Sequence, residues 1–462
     1  NRRVVGVSGT RLYDATTNAV ASDLATHANL VGSQTLTLSG TGTIASKNVG
    51  SNKTVSIGTL ALGNGSNGGL AANYTLTGGT HQLTVNQRPL VSSFTRFYDG
   101  TTTINSDDTT NVSISFNALQ GGENLTMDGT GTVSSKDVSA GSQSVTSVNL
   151  ALADGTGGTA GLASNYSLNS SNLTINRKPI NTVYLSRQYN ASNSVAGSDL
   201  SSMTGLIGSE TLTLSGSATM SSANVGTNTV NAALFTLGNG FNGGLANNYT
   251  VSGGNHTMVI TQRLLNATLA RQYDATTTAA GSTLSSFDAL QGGENLTMSG
   301  SGTAASKDVA NGIAMSSNGN LALADGTGGT AGLASNYSLN STVINISKRV
   351  LNSSGSKLYD ANTNALASAI TLSNLASTET LVDSGTASTS SANAGSYTIN
   401  NLTGVSIADG TNGGLASNYT LTGGTHNFTV NRRVVGVSGT RLYDATTNAA
   451  ASDLATHANL VG

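Results

Sequence analysis

Of the 462 residues only 9% are charged, and 20 basic side chains stand against 22 acidic ones, which offers neither the basic footprint of a nucleic-acid binder nor a polyelectrolyte tail. Cysteine is absent, so there is no disulfide framework and no thiolate metal site, and either redox compartment fits. No apolar run approaches the roughly 18 residues that span a bilayer, and the remainder is dominated by Gly, Ser, Thr, Asn and Ala, which is not an enzyme-like mixture.

The chain opens on NRRVVGV, without Met and without the apolar region of a signal peptide, and so reads as an internal window of something larger. Tyr13-Asp14 is the first of a recurring set that continues at Tyr98, Tyr189, Tyr273, Tyr359 and Tyr443, with a mean step of 86 residues. A second set, in Asn-Tyr pairs, falls at Tyr74, Tyr166, Tyr249, Tyr337 and Tyr419, always 60 to 68 residues after the first. These anchors set out five modules at 1–87, 88–177, 178–262, 263–348 and 349–431, and the start of a sixth at 432–462. A period of this length is a domain and not the coil of a solenoid. It is long enough to bury a modest core.

Within the first module, SDLATHANL (Ser22 to Leu30) is the best helical stretch, with Ser22 placed to cap one short helix. Thr35-Leu36-Thr37-Leu38 then alternates polar with apolar residues, as Thr211 to Leu214 and Leu296 to Met298 do later, the pattern of a sheet with one buried face. GNGSNGG (Gly63 to Gly69) supplies a turn. The two tyrosine sets are expected to fill the core or its corners. His81, with His256 and His426, recurs only in modules one, three and five and reads as a surface or strand histidine. The fold class expected is mostly β, a linear tandem array of modules with at most one short helix each.

At the first boundary, TVNQRPLVSSF (Thr84 to Phe94) leaves no Ser/Gly linker, and Pro89, like Pro179 one module on, fixes φ where the chain direction is set. Ten of the 20 basic residues lie at such boundaries, among them Arg88, Arg177, Arg263 and Arg349. Six more stand two residues before the first-set tyrosines: Arg11, Arg96, Arg187, Arg271, Lys357 and Arg441. Either they solubilise exposed strands or they clamp the boundary against backbone carbonyls or Asp. Short stiff connections favour an extended array.

Further along, Asp154, Asp325 and Asp409 head Gly-rich turns and are the calcium candidates, although Asn64 and Asn239 hold the same place without charge. A plain turn is the alternative. Lys47, Lys136 and Lys307 invite a Lys-Asn isopeptide staple, but Ala223 and Ala392 occupy the matching positions. Two flavours alternate: modules one, three and five share an NGGLA–NYT phrase, while two and four share ALQGGENLTM and LALADGTGGTAG. The last 32 residues copy module one, Val20 becoming Ala450, so a larger unit of five modules is itself repeated. Being a third of a module, this copy is expected to dock on its neighbour.

A module that opens with YDGTT (Tyr98 to Thr102), passes through GTGTVSSKDV (Gly129 to Val138) and closes with NYSLNSSNLTINRKPI (Asn165 to Ile180) resembles the YDG and MBG (mostly β-grasp) repeats of bacterial filamentous-haemagglutinin-like adhesins. The resemblance implies secreted, cell-surface proteins whose modules form stalks or fibres, and a module with its first and last strands parallel and adjacent at the sheet centre. Asn190 in place of Asp, and Ala in place of Gly after most of the Asp residues, depart from the family phrase.

The function expected is non-enzymatic: the structural or adhesive repeat region of a large exported bacterial surface protein, with no cofactor. Its partners would be neighbouring modules of the same chain, identical chains in a filament, and a host or surface ligand bound elsewhere, with no nucleic acid and no membrane insertion. Direct carbohydrate binding by the modules is the alternative, against which the absence of Trp counts. Ice binding by the threonines of TLTLSGTGT (Thr35 to Thr43) is a third reading.

Overall fold

The computed structural model of the chain describes residues 1–400 and 402–461; Gly462, the last residue of the copied phrase, lies outside them. The chain packs as two compact units. One holds Asn1–Leu185, Ser194–Thr219 and Thr229–Met258; the other holds Ser186–Asn193, Met220–Asn228 and the chain from Val259 onward.

Module one shows how the alternating sequence becomes a sheet. Its strands are β1 (Arg3–Val4), β2 (Gly6–Leu12), β3 (Asn18–Val20), β4 (Thr26–Ala28), β5 (Leu36–Ser39), β6 (Thr41–Ile44), β7 (Gly50–Ser56), β8 (Ala61–Asn64), β9 (Tyr74–Thr75) and β10 (His81–Asn86). Along β10, His81, Leu83 and Val85 turn inward while Gln82 and Thr84 face out, so one side of the strand carries the core. Six strands form a sheet in the order β3-β6-β7-β10-β2-β4. β10 runs parallel to β2, from His81 opposite Val7 to Asn86 opposite Leu12, and the two are flanked by antiparallel β7 and β4. β5 and β8 form a separate hairpin, and β1 pairs with β9 in parallel.

The same central parallel pair recurs in module two (Arg88–Phe97 with Tyr166–Asn176), module four (Arg263–Gln272 with Tyr337–Ser347) and module five (Asn352–Leu358 with His426–Asn431). The two flavours differ inside this pair. In modules two and four the ladder is continuous through one register shift. In modules one and five it is broken, and a buried histidine spans the break. Val7 N–H donates to His81 Nδ1 and His81 Nε2–H donates to the Leu76 carbonyl, so the imidazole supplies the pairing that the missing residues do not. His256 does the same between Val183 and Val251, while His426 bonds the Ser353 hydroxyl and the Leu421 carbonyl. All three are buried; His81 and His426 open a strand, and His256 stands directly before one.

Among the described residues there is no α-helix; each module instead holds two or three 3₁₀ turns of three residues. The helix expected over Ser22 to Leu30 is one such turn, Ala21–Asp23, capped by Val20 without a side-chain bond, and it is followed by strand β4. Pairing of Thr26–Ala28 with Gly6–Ser8 outweighs the local helical preference.

Cores do not stop at module edges. One apolar cluster joins Val7, Tyr13, Leu24, Leu83 and Val85 of module one to Leu90, Leu125 and Tyr166 of module two. Another joins Leu269, Tyr273, Ile344 and Ile346 of module four to Leu351, Ala376 and Tyr419 of module five.

Candidate functional site

The boundary between modules is where side chains of different modules converge. One residue separates the last strand of a module from the first of the next: Gln87 between Asn86 and Arg88, Lys348 between Ser347 and Arg349. The first-set tyrosine is pinned beside that crossing, Tyr13 N–H bonding to the Asn86 carbonyl and Tyr273 N–H to that of Ser347, both at 2.9 Å. The loop after it is tied down by the basic residue two positions earlier. Arg11 bridges Asp14 (2.9 Å) and the Thr16 carbonyl (2.6 Å), and Arg96 bridges Asp99 (2.9 Å), the Thr101 carbonyl and the Thr103 carbonyl. Arg271 and Lys357 close the same cage. With its side chain almost wholly buried, Arg96 is an internal brace rather than a solubilising charge.

From this anchor the tyrosine reaches into the next module. Tyr13 donates to Glu123 Oε1 at 2.6 Å, while Tyr166, the second-set tyrosine of module two, donates to Oε2 of the same carboxylate at 2.8 Å. The rings meet edge to face at 5.3 Å, and Gln120 N–H donates to the Tyr166 oxygen. Glu210 joins Tyr98 to Tyr249, Glu294 joins Tyr189 to Tyr337, and Glu379 joins Tyr273 to Tyr419, all at 2.6–2.7 Å with the same T-shaped rings. A carboxylate with both oxygens taken by phenols is a tie, and charge-assisted bonds of this kind are about twice as strong as neutral ones.

A second tie runs alongside. Val49 N–H of module one donates to Asn165 Oδ1 of module two, and Asn165 Nδ2 donates back to Asn48. Asn248, Asn336 and Asn418 repeat it with Val138, Val225 and Val309. Where a lysine is present it joins the carboxylate: Lys47 at 2.6 Å from Glu123, Lys307 at 2.8 Å from Glu379 and, more loosely, Lys136 at 3.7 Å from Glu210. Where Ala223 stands in place of the lysine, Glu294 holds its two tyrosines with no lysine beside them among the described residues.

The ionisation states follow from these contacts. Burial alone would raise the Glu123 carboxyl, but Lys47, Tyr13 and Tyr166 outweigh it and hold it below its ordinary range; Glu379 is held down the same way by Lys307, Tyr273 and Tyr419. Burial, with the hydrogen bond that each neutral phenol donates to its carboxylate, pushes Tyr166, Tyr337 and Tyr419 up to about 12. Lys307 is raised by its hydrogen bonds to Glu379 and Tyr273. Amine and acid are thus both kept charged, the wrong states for condensation into an amide, and the lysines face glutamate rather than asparagine.

Several of the residues singled out in the sequence meet here. Eight of the ten tyrosines meet in pairs across a boundary; of the other two, Tyr74 donates to Gln34 in its own module and Tyr359 is half-buried. Arg88 donates to the Tyr13 carbonyl at 2.7 Å, Arg263 to that of Tyr189 and Arg349 to that of Tyr273, which is a clamp on backbone carbonyls. Arg177 instead holds the Asn247 side chain, which donates to the Val138 carbonyl. Pro89 pairs with Ser167 near the start of the long parallel ladder of module two, and Pro179 with Thr250 in a two-residue parallel pair. The calcium candidates are elsewhere. Asp154, Asp325 and Asp409 accept from the N–H of Ala163, Ala334 and Ala416, a role that Asn64 and Asn239 fill equally for Ala71 and Ala246. Charge is therefore not what these turns use. No group of three His, Cys, Asp or Glu side chains suited to a metal occurs among the described residues.

Sequence reasoning passed over the glutamates. The chain has only four, Glu123, Glu210, Glu294 and Glu379, one in each module after the first, and all four sit between two tyrosines. Their scarcity and their spacing, close to the module period, were the available signal.

Five consecutive stretches, residues 3–82, 81–174, 176–257, 261–344 and 347–426, match the YDG domain. The chain therefore belongs to the YDG domain family, as five tandem repeats. The comparison with curated proteins finds no match.

Proposed function

We propose that this chain is a non-enzymatic, load-bearing repeat region of an exported bacterial surface protein, serving as the stalk of an adhesin or as an extracellular fibre. The observation that carries the reading is the tyrosine–glutamate–tyrosine tie repeated at four successive boundaries, with only one residue between strands on either side. Such boundaries resist bending and twisting without any disulfide. The central parallel pair supports the same reading: tension applied at the two ends of a module loads its whole ladder in shear, so the bonds fail together rather than one by one.

Stretching single molecules tests it. A module of 86 residues at about 3.6 Å each, less about 3 nm folded, should lengthen by roughly 28 nm as it fails, giving a sawtooth of discrete steps. Smooth extension without peaks would remove the load-bearing reading.

A further inference from the structure

Building on the load-bearing reading, we propose that the two module flavours alternate as yielding and holding links. Modules one, three and five give way first under tension and lengthen the chain in steps, while modules two and four hold.

The difference begins in the sequence that follows the second-set tyrosine. Modules one and five read YTLTGGTH from Tyr74 and Tyr419, and module three reads YTVSGGNH from Tyr249. Modules two and four read YSLNSSN and YSLNSTV from Tyr166 and Tyr337, without glycine. Gly78, Gly253 and Gly423 have φ of 85°, 90° and 88°, left-handed values that turn the chain out of the strand. The last strand of module one is thereby cut into Tyr74–Thr75 and His81–Asn86. In modules two and four it runs unbroken over eleven residues, Tyr166–Asn176 and Tyr337–Ser347.

Tension enters a module at the start of its first strand and leaves at the end of its last. In module two all ten residues of Arg88–Phe97 pair with that unbroken last strand, and in module four all ten of Arg263–Gln272, so one ladder shares the load. In module one Arg3–Val4 hold only Tyr74–Thr75, which joins β10 through the turn at 76–80 instead of through a strand. The six residues of β10 therefore carry the load by themselves. Module five repeats this with Arg349–Val350 on Tyr419–Thr420 and the six residues of His426–Asn431. Module three, inside the array, has Lys178–Pro179 on Tyr249–Thr250 and then only the five residues of Thr257–Thr261. Across each gap stands one imidazole, bonded to the carbonyl of Leu76, Val251 or Leu421, in place of a run of backbone bonds. Fewer bonds failing together set a lower barrier, so modules one, three and five should unfold at least about tenfold faster than two and four at a given load.

Stretching the full chain tests this. Three steps at low force should come first, followed by two at a distinctly higher force. Marking modules by length assigns the steps: ten Gly/Ser residues inserted at the open turn Gly157–Gly158 of module two should lengthen one of the last two steps by about 3.6 nm. The same insertion at Asn242–Gly243 of module three should lengthen one of the first three. A single force class in the unmarked chain, or the marked step of module two among the first three, would overturn the proposal and leave the load-bearing reading standing. Extension without any steps would overturn both.

Discussion

Residues 3–32 and 433–462 have one sequence, apart from Val20 and Ala450, in two settings. The first lies in a complete module; among the described residues the second has no counterpart of β10 beside it. Locally they are the same. Both form the 3₁₀ turn (Ala21–Asp23, Ala451–Asp453) and pair Gly6–Ser8 or Gly436–Ser438 with the strand that follows. Both cage the loop, Arg441 bridging Asp444 and Thr446 as Arg11 bridges Asp14 and Thr16. Even Gly9 and Gly439 answer the same need, since a Cβ on either would strike the carbonyl of Asp23 or Asp453. Burial, however, separates them: Tyr13 is 0% exposed and Tyr443 93%, Val7 1% and Val437 53%. The turn, the hairpin and the cage are thus encoded within about thirty residues, while the core is supplied by β10 and by the next module.

The largest expected consequence is in amide exchange. Amides of β2, inside a cooperative ladder, should exchange at least about a thousandfold more slowly than those of Gly436–Ser438, because the second hairpin opens without unfolding anything else. Equal protection would mean that the hairpin is stable alone. Leu83→Ala approaches the same contrast from the other side. It removes a wholly buried side chain from β10 and should cost about 2–5 kcal/mol of module-one stability, lowering its melting temperature while leaving exchange in 433–461 unchanged.

This division also explains what was legible in the sequence. Strand alternation, the five-fold period and the central parallel pair were accessible, the last through the family resemblance, because period-2 patterning and repeated anchors are local or repetitive signals. The helix over Ser22 to Leu30 misled because the winning interaction, pairing of Thr26–Ala28 with β2, lies outside the stretch itself. The tyrosines were picked out, but their purpose was not, since Tyr13 and Glu123 meet across 110 positions. Basic residues were visible as a pattern while their acceptors, mostly backbone carbonyls, have no sequence signature.

Acid and alkali should act on the complete boundary and spare the copy, whose described residues make no such tie. Glu123 ionises below its ordinary value of 4.5 in the folded chain, so its contribution is whole above about pH 4.5 and is lost as pH falls through the depressed folded value. Tyr166 runs the other way. Its folded value of about 12 exceeds the ordinary 10.0, so its contribution is whole below about pH 10 and disappears as pH climbs toward 12. Spectrophotometric titration should therefore show tyrosines ionising about two pH units late, coinciding with loss of protection at the boundary. If those tyrosines ionise near pH 10 without structural change, the tie contributes nothing.

The smallest effect concerns one backbone angle. Ala15 has φ 61° and Ala445 φ 64°, left-handed values that crowd a Cβ, and the corresponding residue of module two is Gly100 at φ 78°. Ala15→Gly relieves that crowding at the cost of a more flexible unfolded chain, and the balance should be a gain of about 0.5 kcal/mol in module one. Gly100→Ala should lose about 1 kcal/mol, because its new Cβ also comes within 2.8 Å of Ile207 on the facing module. Ala445→Gly relieves the same strain in a segment that has no cooperative transition of its own, so denaturant titration should register the change at 15 and none at 445. Equal shifts at both positions would mean that the copied segment unfolds together with module five.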